Sequence, residues 1–251
     1  MPQIQFIGRV LPAGSHVMIN NCPLVSYTSA QFGYKTEISV TVTDSIVTTV
    51  CNVDKYDIEY LSSIYIGCVD VTQTLVNLAG FSLGTGLIVS LDHWIDPDGN
   101  ISELNFNNPL VSGLCTAFSG DRLNDIIHVV FSEPHLFMAL NDLILAITLH
   151  NHTLINCARS VEAIRHMIAG HGTDPKKAWP IMCSALNIDR AYLSLITDSS
   201  TKHRHGNIVE VSGPIVEDVT KRSWTIMDRF LHYRLAKSAS LPLAKFPLLR
   251  G

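Results

Sequence analysis

The sequence predicts an α+β protein: a strand-rich N-terminal domain carrying one long helix over residues 1–107, then an all-helical domain over residues 108–251 with its core at about 134–237. Three observations lead there. Residues 36–53 (TEISVTVTDSIVTTVCNV) are dense in β-branched side chains, and Ile38, Val40 and Val42 alternate with Ser39, Thr41 and Thr43 as in a half-buried strand. From Asp54 the apolar period changes to steps of three and four. Beyond Pro109 the strand signal fades and helix-period stripes take over.

Taken in order, residues 4–10 form a short apolar strand, and 36–53 form a hairpin broken near Asp44-Ser45. Ile58, Leu61, Ile64, Tyr65, Cys68, Val69, Thr72, Leu75, Val76 and Ala79 then mark an amphipathic helix that starts at Asp54 and stops at Gly80 or Gly84. Strands follow at 86–95 and 101–106, joined by the turn residues Asp96-Pro97-Asp98-Gly99. That turn is no calcium loop, because its glycine comes too early and no glutamate stands at the twelfth position. GFSLGTG follows a helix rather than a strand and lacks the G-x-G-x-x-G spacing, so it predicts no nucleotide site. In the second half, helices are expected at 121–131 with Asp121 as N-cap and from Pro134 to about Ala169, the latter one helix or a broken pair. Another is capped by Asp174-Pro175 with the stripe Ala178, Trp179, Met182, Leu186; others run from Asp189 to Ile196 and from Val216 to Lys237. Residues 238–251, with two prolines, read as a weakly ordered tail.

Composition excludes several classes. At 47% hydrophobic and 16% charged, the chain can bury a large core and is neither disordered nor collagen-like. Its six cysteines show no C-x-x-C and no zinc spacing, and no signal peptide pattern opens the sequence, so a cytoplasmic location is expected. The apolar stretch 140–149 falls short of the ~20 residues of a membrane span, so no membrane partner is expected. Charge is uneven: residues 1–150 hold 4 basic and 14 acidic side chains, residues 151–251 hold 14 and 8, giving −10 and +6. The basic part is the candidate for a polyanionic partner.

Nine of the eleven histidines, His128 through His232, lie in the helical half. Imidazole exchanges protons near neutrality, which makes these the first candidates for chemistry. Metal is not expected: His150 and His152 are i, i+2 and point apart on a helix, while Lys202 and Arg204 beside His203 and His205 would repel a cation. No G-x-S-x-G or electropositive cysteine loop supports acyl transfer. Two clusters remain. Arg159 and His166, seven apart, share one helix face with Glu162 between them, and Lys202-His203-Arg204-His205-Gly206-Asn207 packs four basic or titratable side chains into one turn. An imidazole beside a guanidinium is what metal-free RNA cleavage needs, a base for the 2′-OH and a fixed cation for the phosphorane. The competing readings are an exposed charge ladder for the first cluster and a solvated loop for the second.

The segments LINCARSVEAIRHMIAG, KKAWPIMCSALNI and TKHRHG resemble a HEPN domain (higher eukaryotes and prokaryotes nucleotide-binding), particularly its abortive-infection-type and MauJ-like branches, and GLIVSLDHWIDPDGN is similar to segments that precede the helical domain in such proteins. The resemblance implies a helical bundle that pairs as a homodimer, and a metal-independent, cofactor-free ribonuclease of a toxin or antiviral defence system. Its motif, an arginine, four to six residues, then a histidine, matches Arg159 and His166. In the later helices the nearest feature is Arg204-His205-Gly206, where no arginine stands five to seven residues before His205; either Arg204 takes that role or the site is degenerate. The resulting expectation is an RNA-binding protein with endoribonuclease activity. In it His205 is the general base and Arg204 the phosphate clamp, Arg159 and His166 form the facing pair, and Lys202, His203, Glu162 and Asn207 contact RNA. The alternative is a non-catalytic module acting through dimerisation or a cognate protein.

Overall fold

The computed structural model describes residues 1–20, 22–29, 31–104, 110–120, 122–204 and 211–251, with the side chains of Lys202 and Arg204 excepted. It divides into two compact units, Met1–Phe106 and Asn107–Gly251. The first is an antiparallel sheet with one helix against it; the second is all helical.

In the first unit, β1 (Gln3–Leu11), β2 (Val25–Thr28), β3 (Lys35–Thr43), β4 (Ile46–Val53), β5 (Ile88–Ile95) and β6 (Ile101–Glu103) form one sheet in the order β2-β3-β4-β1-β5-β6. Strand alternation sends Ile4, Phe6, Val10, Ile38, Val42, Val47, Cys51 and Val53 to one buried face. Asp44 and Ser45 both take positive φ (50° and 64°), the two-residue turn whose twist suits a hairpin, which is why the β-branched run breaks there. Gly8 sits at a register shift in the β1/β5 pairing, and a Cβ there would lie 1.9 Å from the Ser90 carbonyl oxygen.

The long helix α1 (Leu61–Leu83) begins later than the sequence suggests, because residues 58–60 form a 3-10 turn whose cap, Asp57, accepts from the Glu59 amide. Its buried row, Ile64, Cys68, Thr72, Val76 and Gly80, repeats every four residues and faces the sheet. Thr72 and Thr49, both fully buried, satisfy each other through a 2.8 Å hydroxyl contact. Gly84 ends the helix in the left-handed region at φ 64°. Together with the 3-10 turn, α1 is long and apolar enough to cross a membrane by length and composition, and it lays its buried row against the sheet.

The second unit holds α2 (Leu123–Ser132), α3 (Pro134–Thr148), α4 (Thr153–Ala169), α5 (Pro175–Leu186), α6 (Arg190–Arg204) and α7 (Gly213–Leu235). Helix α4 is central, packing against α3, α5, α6 and α7, and its Leu154, Cys157, Val161 and Ile164 lie inside the cluster those helices close. Helices α2 and α3 meet at a 111° bend between Ser132 and Pro134.

One open expectation is decided here and others change. The run from Pro134 to Ala169 is the broken pair, interrupted by a 3-10 turn at His150–His152 and secured by Thr153, whose hydroxyl donates to the Ala146 carbonyl at 2.6 Å. Arg122, not Asp121, occupies the N-cap position of α2 and makes no side-chain cap; Asp121 lies outside the described residues. Helix α6 continues to Arg204, so Lys202, His203 and Arg204 are helical rather than part of a turn. Residues 238–251 are anchored instead of weakly ordered. Leu241 is buried, Leu249 bridges Ile188, and the Asn187 amide donates to the Leu241 and Phe246 carbonyls. Arg229, itself buried, donates to the carbonyls of Leu186, Asn187 and Pro247, tying the segment to α7.

Candidate functional site

Helix α4 delivers three of the expected site residues. Arg159 is exposed, and its guanidinium lies 3.4 Å from the carboxylate of Asp142 on α3. Burial pushes the Asp142 carboxyl up and Arg159 counters that, so this arginine balances a buried charge in the α3/α4 seam. His166, two turns on, has a different partner. Its Nε2 accepts from Nη2 of Arg165, its own neighbour, at 2.8 Å. Glu162 lies close enough to favour the charged imidazole, yet His166 is held below the ordinary histidine value, first by burial and then by Arg165, His171 and His135. The structure therefore gives His166 an arginine, but it is Arg165 and not Arg159.

Two more histidines join it. His171 stacks parallel to His166, with ring centroids 5.7 Å apart and 4° between planes, and His135, in the first turn of α3, lies 4.5 Å from His171. The loop makes this feasible: Gly170 and Gly172 take φ of 89° and 84°, a backbone path that side chains other than glycine's strain, so His171 folds back over the end of α4. Asp174 then caps α5 by accepting from the Lys176 amide. Beneath the histidines, Arg165 is buried with its guanidinium 4.7 Å from the centre of the Trp179 ring, and Arg190 approaches the same ring to 4.5 Å.

Protonation follows from the hydrogen bond. Arginine only donates, so Nε2 of His166 is the unprotonated nitrogen and the proton of the neutral ring is on Nδ1. Among the described residues, that buried Nδ1 and the buried Nε of Arg165 have no hydrogen-bond partner. The centre thus combines a fixed cation, three imidazoles and two unmet donors, a set suited to an oxyanion. Among the described residues no three His, Cys, Asp or Glu side chains converge as a metal set.

The second cluster falls only partly within the described residues. His203 is on α6, with its Nδ1 3.2 Å from the Ser199 carbonyl one turn back. Lys202 and Arg204 are helix positions, and His205 and Asn207 lie outside the described residues. Sequence reasoning missed Arg165, His171 and His135; the glycines flanking His171 were the available signal. It also missed a second constellation, Asp228 and His232 on α7 with Thr116. Asp228 accepts from the amides of Thr116 and Ala117 at 2.6 and 2.8 Å and from the Thr116 hydroxyl at 2.8 Å, while Nε2 of His232 lies 2.9 Å from that hydroxyl. Asp228 and His232 are both buried, so this network is a clasp for residues 116–117.

Residues 4–104 match the family model for the N-terminal domain of DUF8168, a domain of unknown function, and residues 123–235 match the model for its C-terminal domain. No curated protein and no solved structure matches the chain. The two matched segments fall one in each compact unit, the sheet with its helix and the helical bundle. The chain therefore carries both domains of the DUF8168 family, N-terminal followed by C-terminal.

Proposed function

We propose that the helical domain binds RNA in the cytoplasm, holding backbone phosphate at the Arg165–His166 centre. The observation that carries the proposal is the 2.8 Å bond from Arg165 to His166, made by a buried guanidinium beneath a stack of imidazoles. The +6 balance of residues 151–251 and the resemblance to HEPN helices support RNA as the polyanion. The chemistry favours holding over cutting. Nε2 of His166, the nitrogen a general base needs, is occupied by Arg165, and Nδ1 is buried and already carries the proton. Cleavage would require an arriving phosphate to draw Arg165 away and release that lone pair.

The test uses the full chain, a fluorescent mixed-sequence RNA and EDTA. Binding is expected to weaken steeply with salt and to drop in His166→Ala and His171→Ala, with the RNA left intact. Salt-independent affinity, or none, overturns the proposal and leaves the non-catalytic module that acts through a protein partner or a second copy. Cleavage lost in His166→Ala makes the centre catalytic, whereas cleavage lost only in His205→Ala returns the function to the segment named first from sequence. The homodimer implied by the resemblance is part of the proposal, and sedimentation equilibrium at working concentration checks it.

A further inference from the structure

Deepening the homodimer part of that reading and resting on it, we infer that the helical unit pairs with a second copy of the chain through the outward face of α3, about a two-fold axis that sets Asn141 against its own counterpart. Composition, size and spacing of that face all point to self-pairing. Helix α3 is apolar on both sides. Leu136, Ala139, Leu143 and Ala146 enter the core, while opposite them Phe137, Met138, Ile144 and Leu145, with Leu149 just past the helix end, are 37–55% exposed. A helix that is apolar all round belongs between two partners. Both ionisable side chains of α3 are turned elsewhere, Asp142 against Arg159 and His135 against His171. In a two-fold contact every group meets its equal, so a face that carries no charge has nothing with which to repel itself.

Size supports the same occupant. On α2, Leu123, Ile127 and Phe131 recur every four residues and are 41–76% exposed, and the row ends six residues before Phe137. At roughly 200 Å² for a large side chain, the outward face of α3 shows about 450 Å² of apolar surface and the α2 row about 350 Å². Together they reach the ~800 Å² that each partner gives to a standard-size complex.

Spacing adds a register. Phe137, Asn141, Ile144 and Thr148 stand four, three and four residues apart, the interval of a seam between two packed helices. Asn141 is exposed within this row, and its carboxamide both donates and accepts, so an identical carboxamide satisfies it. Lipid fits less well. The bent pair α2 and α3 is apolar enough for a broken span, yet residues 107–150 carry one arginine against four acidic groups, whereas helices that lie on membranes are rich in Lys and Arg.

The experiment runs sedimentation equilibrium and circular dichroism on the full chain and on Ile144→Glu, Leu145→Glu, Asn141→Asp and Asn141→Lys, all at exposed positions. The wild type should be a dimer, and each variant, still folded, should dissociate about a hundredfold more readily. An equal mixture of Asn141→Asp and Asn141→Lys should recover the dimer, because opposite charges then meet across the axis. Dimers that persist in both glutamate variants overturn the choice of face while the homodimer stands. Glutamate variants that come apart without recovery in the mixture overturn the axis at Asn141. A wild type that stays monomeric at every concentration overturns both the face and the homodimer, and its flotation with vesicles of phosphatidylcholine and phosphatidylserine would give the face to lipid. RNA binding is read separately by its salt dependence, so its failure leaves the pairing untouched.

Discussion

Asp228 and Arg229 are neighbours on α7, and each spends its charge on backbone. Asp228 collects two amides and a hydroxyl from residues 116–117, while Arg229 donates to three carbonyls at 186, 187 and 247. Ionised groups bonded in this way are worth more than neutral ones, and removing one leaves the buried Ala117 amide without an acceptor. Asp228→Ala should therefore cost the helical unit about 2–3 kcal/mol in urea denaturation, with Asp228→Asn costing less because it keeps an acceptor. Histidine sets a second expectation at this scale. His166 and His232 are both held below the ordinary value of 6.5, chiefly by burial. As pH falls through that value the unfolded chain takes up protons before the folded one does, so stability is full above it and declines below it until the folded rings also protonate. The urea midpoint should fall between about pH 7.5 and about pH 5.5, and less so in His166→Gln or His232→Gln; an unchanged pH dependence in both would refute the assignment.

At the level of elements, glycines show which contacts the first unit cannot relax. A Cβ on Gly8 would sit 1.9 Å from the Ser90 carbonyl, which is sheet backbone, whereas a Cβ on Gly67 would meet the Tyr27 hydroxyl, the far end of a side chain. Gly8→Ala should cost about 2–3 kcal/mol or prevent β1 from pairing with β5, and Gly67→Ala should cost well under half as much, as read by the unfolding midpoint of this unit. The elements that sequence revealed share a trait: they are specified by near neighbours. The hairpin at Asp44-Ser45, the α1 row and the Asp174-Pro175 cap are local patterns. The misread elements depend on distant partners. Residues 238–251 have no period, and their order comes from Arg229 and Asn187; residues 202–204 look like a charged loop, and the helix simply continues through them. The candidate site divides the same way. His166 was found from its spacing to Arg159, but its actual arginine is adjacent, and His135 comes from another helix 31 positions earlier.

For the whole molecule, charge assigned by compact unit is less lopsided than a cut at residue 150 suggests. Residues 1–106 hold 3 basic and 10 acidic side chains, a balance of −7, and residues 107–251 hold 15 and 12, a balance of +3. The difference comes from residues 107–150, which include α2 and α3 and carry one arginine against four acidic groups. Positive charge is thus a property of the later helices, where Arg165 and Arg190 lie. Each unit also closes its own apolar cluster, one between the sheet and α1, the other around α4. Separate cores predict separate melting. Calorimetry should resolve two transitions, of which Gly8→Ala lowers only one and Asp228→Ala only the other; a single transition moved by both substitutions would count against this.

The pair at 228 and 229 gives the helical unit an unusual load path. Its early segment, at 116–117, and its final segment, around 247, are both fastened to consecutive residues of one helix, with Asn187 holding the final segment a second time, so a single turn of α7 is an anchor shared by two distant stretches of chain. Tension on either stretch is carried into that turn, which makes α7 a bolt common to both.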